Sequence, residues 1–345
     1  MNDETLDGAA SREDRGLDAA LRPQVFDEFV GQPTICKNLQ IYIEAARMRG
    51  DPLDHLLLSG LPGLGKTTLA EIVARRMETA LHTTSGPVLE KPGDLAGILT
   101  NLAHGDVLFV DEIHRMPAAV EEYLYSAMED FTIDILLDQG PRARSVRIDI
   151  QPFTLIGATT REGLLTPPFR ARFGVLERLE PYPVEELASI GTRSSGLLGM
   201  ALTEDGATTL AMHARGTPRI VNRFVRRIRD LAQVEGRTEI DTEIAKRGLT
   251  MLGIDDDGLL PVDRAILRVL LSAEGRPVGL RTIAASIGED DRTLEDVYEP
   301  HLMRTGLVLK TPRGRILTAA AYNLLQVEAP IPQEEPEEQS GLFDG

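Results

Sequence analysis

The chain has 345 residues, enough for two or three domains with proper cores. Its longest apolar runs are strand-sized and its N-terminus is polar and acidic, so a membrane helix and a signal peptide are excluded and a cytoplasmic protein is expected. A single cysteine, Cys36, excludes an intramolecular disulfide framework and a cysteine-based zinc site.

The formal net charge of −17 argues against a nucleic-acid binder until its distribution is read. Residues 1–20 carry a net −4 and residues 327–345 a net −6, leaving −7 for the body between them. Both tails are polar and acidic, the second rich in proline, and both read as disordered. Pro300–Ala320 holds no acid and four cations: Arg304, Lys310, Arg313 and Arg315. A local basic patch binds phosphates whatever the sign of the whole chain.

From Leu21 to about Tyr182, strand and helix signals alternate, which predicts an α/β domain over residues 1–182: a parallel sheet flanked by helices. The first strand, His55–Ser59, runs into Gly60-Leu61-Pro62-Gly63-Leu64-Gly65-Lys66-Thr67, and Thr68–Met77 reads as a helix. This strand–loop–helix run fits the P-loop of nucleotide hydrolases. Gly63 and Gly65 let backbone N–H groups turn toward phosphate oxygens, and the helix N-terminus at Thr67 and Thr68 adds its dipole. Lys66 can reach the β- and γ-phosphates of a bound nucleotide, and the Thr67 hydroxyl can ligate Mg²⁺.

The second strand, Val107–Asp111, ends in two acids. Asp111 is assigned to the metal and Glu112 to the general base that polarises water. Ile133, Ile135 and Leu137, then Val146, Ile148 and Ile150, alternate on either side of Gln139-Gly140-Pro141 and read as a β-hairpin. The third strand, Thr154–Ala158, has a polar tip at which Thr160 can orient water if this strand neighbours the first. Arg170 and Arg172 both follow within Pro167–Gly174, and either can stabilise charge on a transferred phosphate, from its own or a neighbouring subunit.

Over residues 183–253 the strand signal vanishes, and Val184–Leu198, Glu204–His213, Pro218–Val234 and Thr242–Leu252 read as four helices. Arg219, at the start of the third, is either a surface cation or a reporter of the nucleotide. After the polar linker Asp255–Gly258, residues 256–326 read as three helices (Val262–Ser272, Leu280–Ile287, Asp291–Arg304) and a hairpin around Thr311-Pro312-Arg313-Gly314, the winged-helix pattern.

This order of parts resembles the AAA+ ATPases and, within them, the RuvB family of Holliday junction branch-migration motors, over Leu21 to Tyr322. The strings that carry the resemblance are Asp27–Gln32, Leu64–Ala70, Asp111–Arg115, Gly157–Arg161, Arg215–Arg219 and Thr311–Arg315. The resemblance implies an ATP-dependent DNA translocase acting in recombination and repair. It makes Arg172 an arginine finger supplied in trans within a homo-hexamer, Thr160 sensor 1 and Arg219 sensor 2. It implies an adenine-side pocket of Leu21, Arg22, Phe29, Val30 and Tyr182, and it adds Glu129, Asp130 and Phe131 to the nucleotide site. It implies DNA-phosphate contacts at Lys310 and Arg315, with Arg292 and Arg313 beside them, and docking of the hairpin on RuvA, with RuvC in the wider complex. Two positions depart from the family: Leu61 and Lys310 stand where proline and arginine are usual. Gln339, Leu342 and Phe343 resemble a short sliding-clamp motif. A protein-remodelling AAA+ ATPase and a sequence-specific regulator are the competing classes. A GTPase is disfavoured because no Asn-Lys-x-Asp motif occurs.

Overall fold

The computed structural model of the chain describes residues 20–136 and 145–329. The turn expected at residues 139–141, both tails and the sliding-clamp motif lie outside the described residues. Contacts divide the chain into two compact units, one ending at Gly248 and the other beginning at Leu249.

The first unit is built on five parallel strands: β1 (Leu56–Ser59), β2 (Leu81–Ser85), β3 (Val107–Asp111), β6 (Thr154–Thr159) and β7 (Val175–Arg178), in the order β2-β3-β6-β1-β7. Between β3 and β6 the antiparallel hairpin of β4 (Thr132–Leu136) and β5 (Ser145–Asp149) forms its own ladder. Helix α1 (Pro33–Arg49) precedes β1. Helix α2 (Lys66–Met77) follows the phosphate loop, α3 (Pro92–Leu99) precedes β3, and α4 (Ala118–Glu129) precedes the hairpin.

The three central strands are the three that the sequence predicts, and all but one of their residues are buried: only Asp111 is partly exposed. Full burial on both faces is why they read as continuous apolar runs. The edge strands β2 and β7 are additions to the expected sheet. Half-exposed as Leu-His-Thr-Thr-Ser and Val-Leu-Glu-Arg, they carry too little apolar sequence to stand out.

The short helix α5 (Pro167–Arg170) precedes β7, and after β7 come α6 (Val184–Leu197), α7 (Glu204–His213), α8 (Pro218–Val234) and α9 (Thr242–Met251). The four expected helices are present. The expectation of no strand needs correcting, because β8 (Ala201–Leu202) and β9 (Glu239–Ile240) pair in parallel and join the ends of this helical layer. A ladder of two residues is below what periodicity can register.

The second unit holds α10 (Pro261–Ser272), α11 (Leu280–Ile287) and α12 (Asp291–Thr293), and then the hairpin of β10 (Val308–Thr311) and β11 (Gly314–Leu317). The single helix expected over 291–304 is instead α12, a π-turn at Leu294–Tyr298, and α13 (Glu299–Arg304). Pro300 brings no N–H to the ladder, and the wider turn precedes it.

Asp106 anchors the weak edge strand. Its carboxylate accepts the N–H groups of Ala80 (3.1 Å) and Ala103 (2.9 Å) and bonds His82 Nε2 (2.9 Å). Burial pushes the carboxyl up, but the donors from Ala103, His82 and Ala80 outweigh it and hold the group below the ordinary aspartate range. A depressed pKa adds stability above the unfolded value of about 4, and that stability is lost as pH falls through the folded value. Asp106→Ala strands two donors at about 1–3 kcal/mol each. Denaturant unfolding at pH 7 is therefore expected to show a clear loss against the wild type. The gap should narrow below about pH 4, where the wild-type carboxylate also protonates; a gap independent of pH would contradict this role.

Candidate functional site

The phosphate loop is shaped by close approach as much as by phosphate. A Cβ at Gly60 (φ +137°) would lie 2.6 Å from the Leu179 carbonyl. One at Gly63 (φ +79°) would lie 2.7 Å from Thr217 Cγ2 and 2.9 Å from Arg219 Cβ. The Gly63 carbonyl also faces the Arg219 N–H at 3.4 Å. The loop is thus pressed against the N-terminus of α8, and only glycine leaves room.

Lys66 donates to the carbonyls of Gly60 and Leu61, both at 2.8 Å. Burial pushes its ammonium down to about 8; Asp111 and Glu112 act upward and Arg219 downward. A cation destabilised this way gains most from an arriving anion.

A cleft of about 290 Å³ opens over the loop. It is lined by Leu21, Arg22, Phe29, Val30, Gly63, Gly65, Lys66, Thr67, Thr68, Asp111, Glu112, Thr160, Tyr182 and Arg219. All of these are residues that the sequence reading names. Phe29 packs its ring edge on Gly65, where a Cβ would be 3.0 Å away, and Tyr182 donates from its hydroxyl to the Leu64 carbonyl at 3.2 Å. Arg22 is tied to Glu71 of α2 at 2.6 Å. Sequence reasoning missed Arg193, whose guanidinium donates to the Leu21 carbonyl (2.9 Å) and to Glu28 (3.2 Å), clasping the N-terminal segment to α6. No local signal marks it, since its partners lie far away in sequence.

β6 lies next to β1, with Ser59 level with Thr159, so the condition set for Thr160 is met. β3 is not next to β1, because β6 stands between them; Asp111 and Glu112 reach the cleft from one strand further out. Glu112 has φ +47°, in the left-handed region that a non-glycine residue rarely adopts. Its carbonyl would lie 2.4 Å from a Cβ on Gly86, and its carboxylate pairs with Arg115 at 2.6 Å. Strain of this kind gathers at functional positions. Thr159 bonds His114 Nδ1 at 2.9 Å, linking the tips of β6 and β3.

Arg172, Glu129, Asp130 and Phe131 do not line this cleft. Arg172 pairs with Glu129 (3.3 Å), donates to the Pro168 carbonyl (2.8 Å) and lies 4.2 Å over the Tyr125 ring. The guanidinium is stowed, with Nε buried and unpartnered. Arg170 pairs instead with Glu162 at 3.5 Å. Phe131 packs edge-on against Phe153, in the core. Cys36 is an inert thiol, raised to about 11 by burial.

In the hairpin, Ile133 pairs with Ile148 and Ile135 with Val146. Ile133 and Ile150 belong to the core, with Ile148 packed partly against it, so these three are corrected from docking surface to anchor. Val146, 42% exposed, extends the same face into solvent.

The wing departs from expectation at Arg315. Its guanidinium is buried and doubly bonded to Glu299, at 2.5 and 3.1 Å, and that carboxylate holds its charge firmly. Lys310, level with Arg315 in the ladder, reaches Glu295 at 3.4 Å. Arg313 sits at the exposed two-residue tip and Arg292 is exposed at the start of α12. Gly314 (φ +146°) allows β11 to press on Val278, whose carbonyl a Cβ would meet at 2.5 Å.

The sheet order, phosphate loop, acid-tipped β3, polar tip of β6 and helical layer packed on the loop define an AAA+ P-loop ATPase, here with a winged helix in the same chain. The comparisons with known proteins narrow this further. Residues 21–179 match the Holliday junction DNA helicase RuvB P-loop domain, 182–255 the RuvB AAA lid domain and 256–326 the RuvB C-terminal winged helix domain. The chain belongs to the RuvB family. It is 53% identical over 341 residues to the Holliday junction branch migration complex subunit RuvB of Myxococcus xanthus, covering 99% of this chain and 98% of that one. It is 51% identical over 342 residues to that of Salinibacter ruber, with the same coverage. The structure of the Thermotoga maritima RuvB Holliday junction branch migration motor superposes with a TM-score of 0.82 at 50% identity, covering 90% of this chain and all of that one.

The two wing arginines should separate cleanly. Arg315→Met leaves Glu299 buried without its partner, a loss of about 3–5 kcal/mol. It should lower the unfolding midpoint of the winged-helix unit. Arg313→Ala should leave folding unchanged and flatten the slope of log affinity for duplex DNA against log salt by about one. Calorimetry and salt titrations read both; a stable Arg315→Met protein with a flattened salt slope would return Arg315 to the DNA contacts.

Proposed function

We infer that this chain is an ATP-driven DNA translocase that moves duplex arms to drive Holliday junction branch migration in homologous recombination and DNA repair. One observation carries the reading: Lys66, Thr67, Asp111, Glu112, Thr160 and Arg219 converge on one cleft in a chain that also contains a winged helix. The junction itself comes from the name its relatives share, Holliday junction branch migration complex subunit RuvB.

The chemistry follows from the residues. Lys66 leaves the Gly60 and Leu61 carbonyls for the β- and γ-phosphate oxygens of ATP, whose charge restores its full ionisation. The Thr67 hydroxyl and the Asp111 carboxylate are hard oxygen donors that both line the cleft, and they suit Mg²⁺, which would neutralise phosphate charge when bound. Glu112 takes the proton of the attacking water, and Thr160 orients that water. The Arg219 N–H at Gly63 and the Arg219 side chain in the cleft give the helical layer direct contact with the phosphates' surroundings, so phosphate release shifts α8.

Arg172 lies outside its own cleft, which supports its delivery to a neighbouring copy, together with Glu129, Asp130 and Phe131, in a homo-hexamer. The exposed end of the hairpin face, at Val146, suits RuvA, with RuvC joining the wider complex. Lys310, Arg313 and Arg292 supply phosphate contacts without sequence preference. The cytoplasm suits these partners, and no helix among the described residues is long and apolar enough to cross a membrane.

Mixing Arg172→Ala with Glu112→Gln protein tests the shared site. Each parent alone should lose nearly all turnover, and the mixture should regain a substantial part of it, because some interfaces combine an intact Glu112 with an intact Arg172. Mixtures as inert as their parents would remove delivery in trans. Separately, Val146→Glu should weaken RuvA binding about tenfold or more in a pull-down titration while leaving basal ATPase unchanged; parallel loss of both would point to damage of the fold.

A further inference from the structure

His55 is a buried titratable group that the chemistry above does not use. It stands immediately before β1, the strand that carries the phosphate loop. Three hydrogen bonds leave it in three directions. Its backbone carbonyl accepts the Val175 N–H at 3.1 Å. Its Nδ1 accepts the Leu155 N–H at 2.9 Å. Its Nε2 bonds the Met128 carbonyl at 3.1 Å. A backbone N–H can only donate and a carbonyl can only accept, so the hydrogen is on Nε2 and the ring is neutral. Burial, which pushes the imidazole down against the upward effects of Met128 and Asp54, favours that form.

The destinations of these bonds give the residue its meaning. Val175 opens β7, reached from Arg172 through Phe173 and Gly174. Met128 directly precedes Glu129, the ion-pair partner of Arg172. Leu155 lies in β6, which leads to Thr160. The ring also packs against Phe153, with centroids 5.5 Å apart. Both halves of the Arg172–Glu129 pair therefore hang from one residue at the root of the phosphate-loop strand.

We propose that His55 is a positioning residue for the arginine finger: it fixes the Arg172–Glu129 pair relative to β1 and so sets where a neighbouring copy receives the guanidinium. The proposal rests on the shared-site reading given above. The ring's partners Leu155, Met128 and Phe153 do not line the cleft, so its loss should damage what the subunit delivers and spare what it binds.

Two full-length variants test this. His55→Gln retains an amide N–H with the reach of Nε2, able to hold Met128. His55→Asn retains only a shorter acceptor for Leu155. Binding of a fluorescent ATP analogue should stay within about threefold of wild type in both, while ATP turnover falls about tenfold or more in His55→Asn and less in His55→Gln. Mixed with Glu112→Gln, His55→Asn should regain turnover, since its intact Glu112 then meets a well-placed finger. Mixed with Arg172→Ala it should stay inactive. The opposite complementation pattern overturns the proposal, as does wild-type turnover in His55→Asn, higher turnover in His55→Asn than in His55→Gln, or loss of nucleotide binding in both. The Glu112→Gln plus Arg172→Ala mixture runs alongside: if it stays inert, the shared site falls and the proposal with it. If it recovers while His55→Asn complements the wrong partner, only the role of His55 falls.

Discussion

Parallel pairing in fixed register is the constraint from which the active cleft follows. β6 lies between β1 and β3, with Ser59 level with Thr159 and Val110 level with Gly157. Open parallel sheets bind ligands at the carboxyl ends of their strands, and here those ends carry Lys66, Thr160, Asp111 and Glu112 together. A slip of one residue in β6 would turn Thr159 and Thr160 away and exchange its two buried faces, forcing each apolar side chain into packing shaped for another. The register is therefore protected by the core, and the chemistry inherits its precision from burial rather than from contacts within the cleft.

The second requirement is that the cleft report to something that moves. Gly63 supplies this by what it lacks. With Thr217 and Arg219 closer to it than any Cβ would permit, the loop and the start of α8 form one packed contact. Pro218, at the first turn of α8, needs no N–H partner there, and it stiffens the segment that bears Arg219. The Arg193 clasp to Leu21 and Glu28 closes the other side of the same cleft. A nucleotide between these two attachments touches the sheet and the helical layer at once, so a change in phosphate charge acts on both.

Legibility in the sequence follows burial and range. The central strands, the phosphate loop and the acid pair were readable because full burial writes continuous apolar runs and phosphate binding demands a fixed local spacing. The edge strands β2 and β7 were not, since half-exposed strands mix polar and apolar residues. Arg193 was invisible because its partners are distant in the chain. The partner of Arg315 is hidden for a sharper reason: the acid-free window begins at Pro300, one residue past Glu299, which pairs with it. Ile133 and Ile150 were misread because alternation shows that a strand has an apolar face and not whether that face is covered. Assigning Arg172 to a neighbouring copy came from family resemblance alone; spacing left Arg170 equally eligible.

Charge at the wing bears on how a motor can grip and release. Glu295 in the π-turn and Glu299 at the start of α13 each engage a cation of the hairpin, Lys310 and Arg315. The basic patch that composition advertises is thus largely balanced from within. Each phosphate contact costs about threefold in affinity between 50 and 200 mM salt, so a subunit with few of them shows a shallow dependence for a DNA-binding protein. A shallow, weak grip suits translocation, because each subunit must release the backbone as readily as it takes hold. In the proposed ring, several such contacts on one duplex raise the effective affinity without deepening any single one. Holding power then comes from the number of subunits engaged, and stepping from the weakness of each.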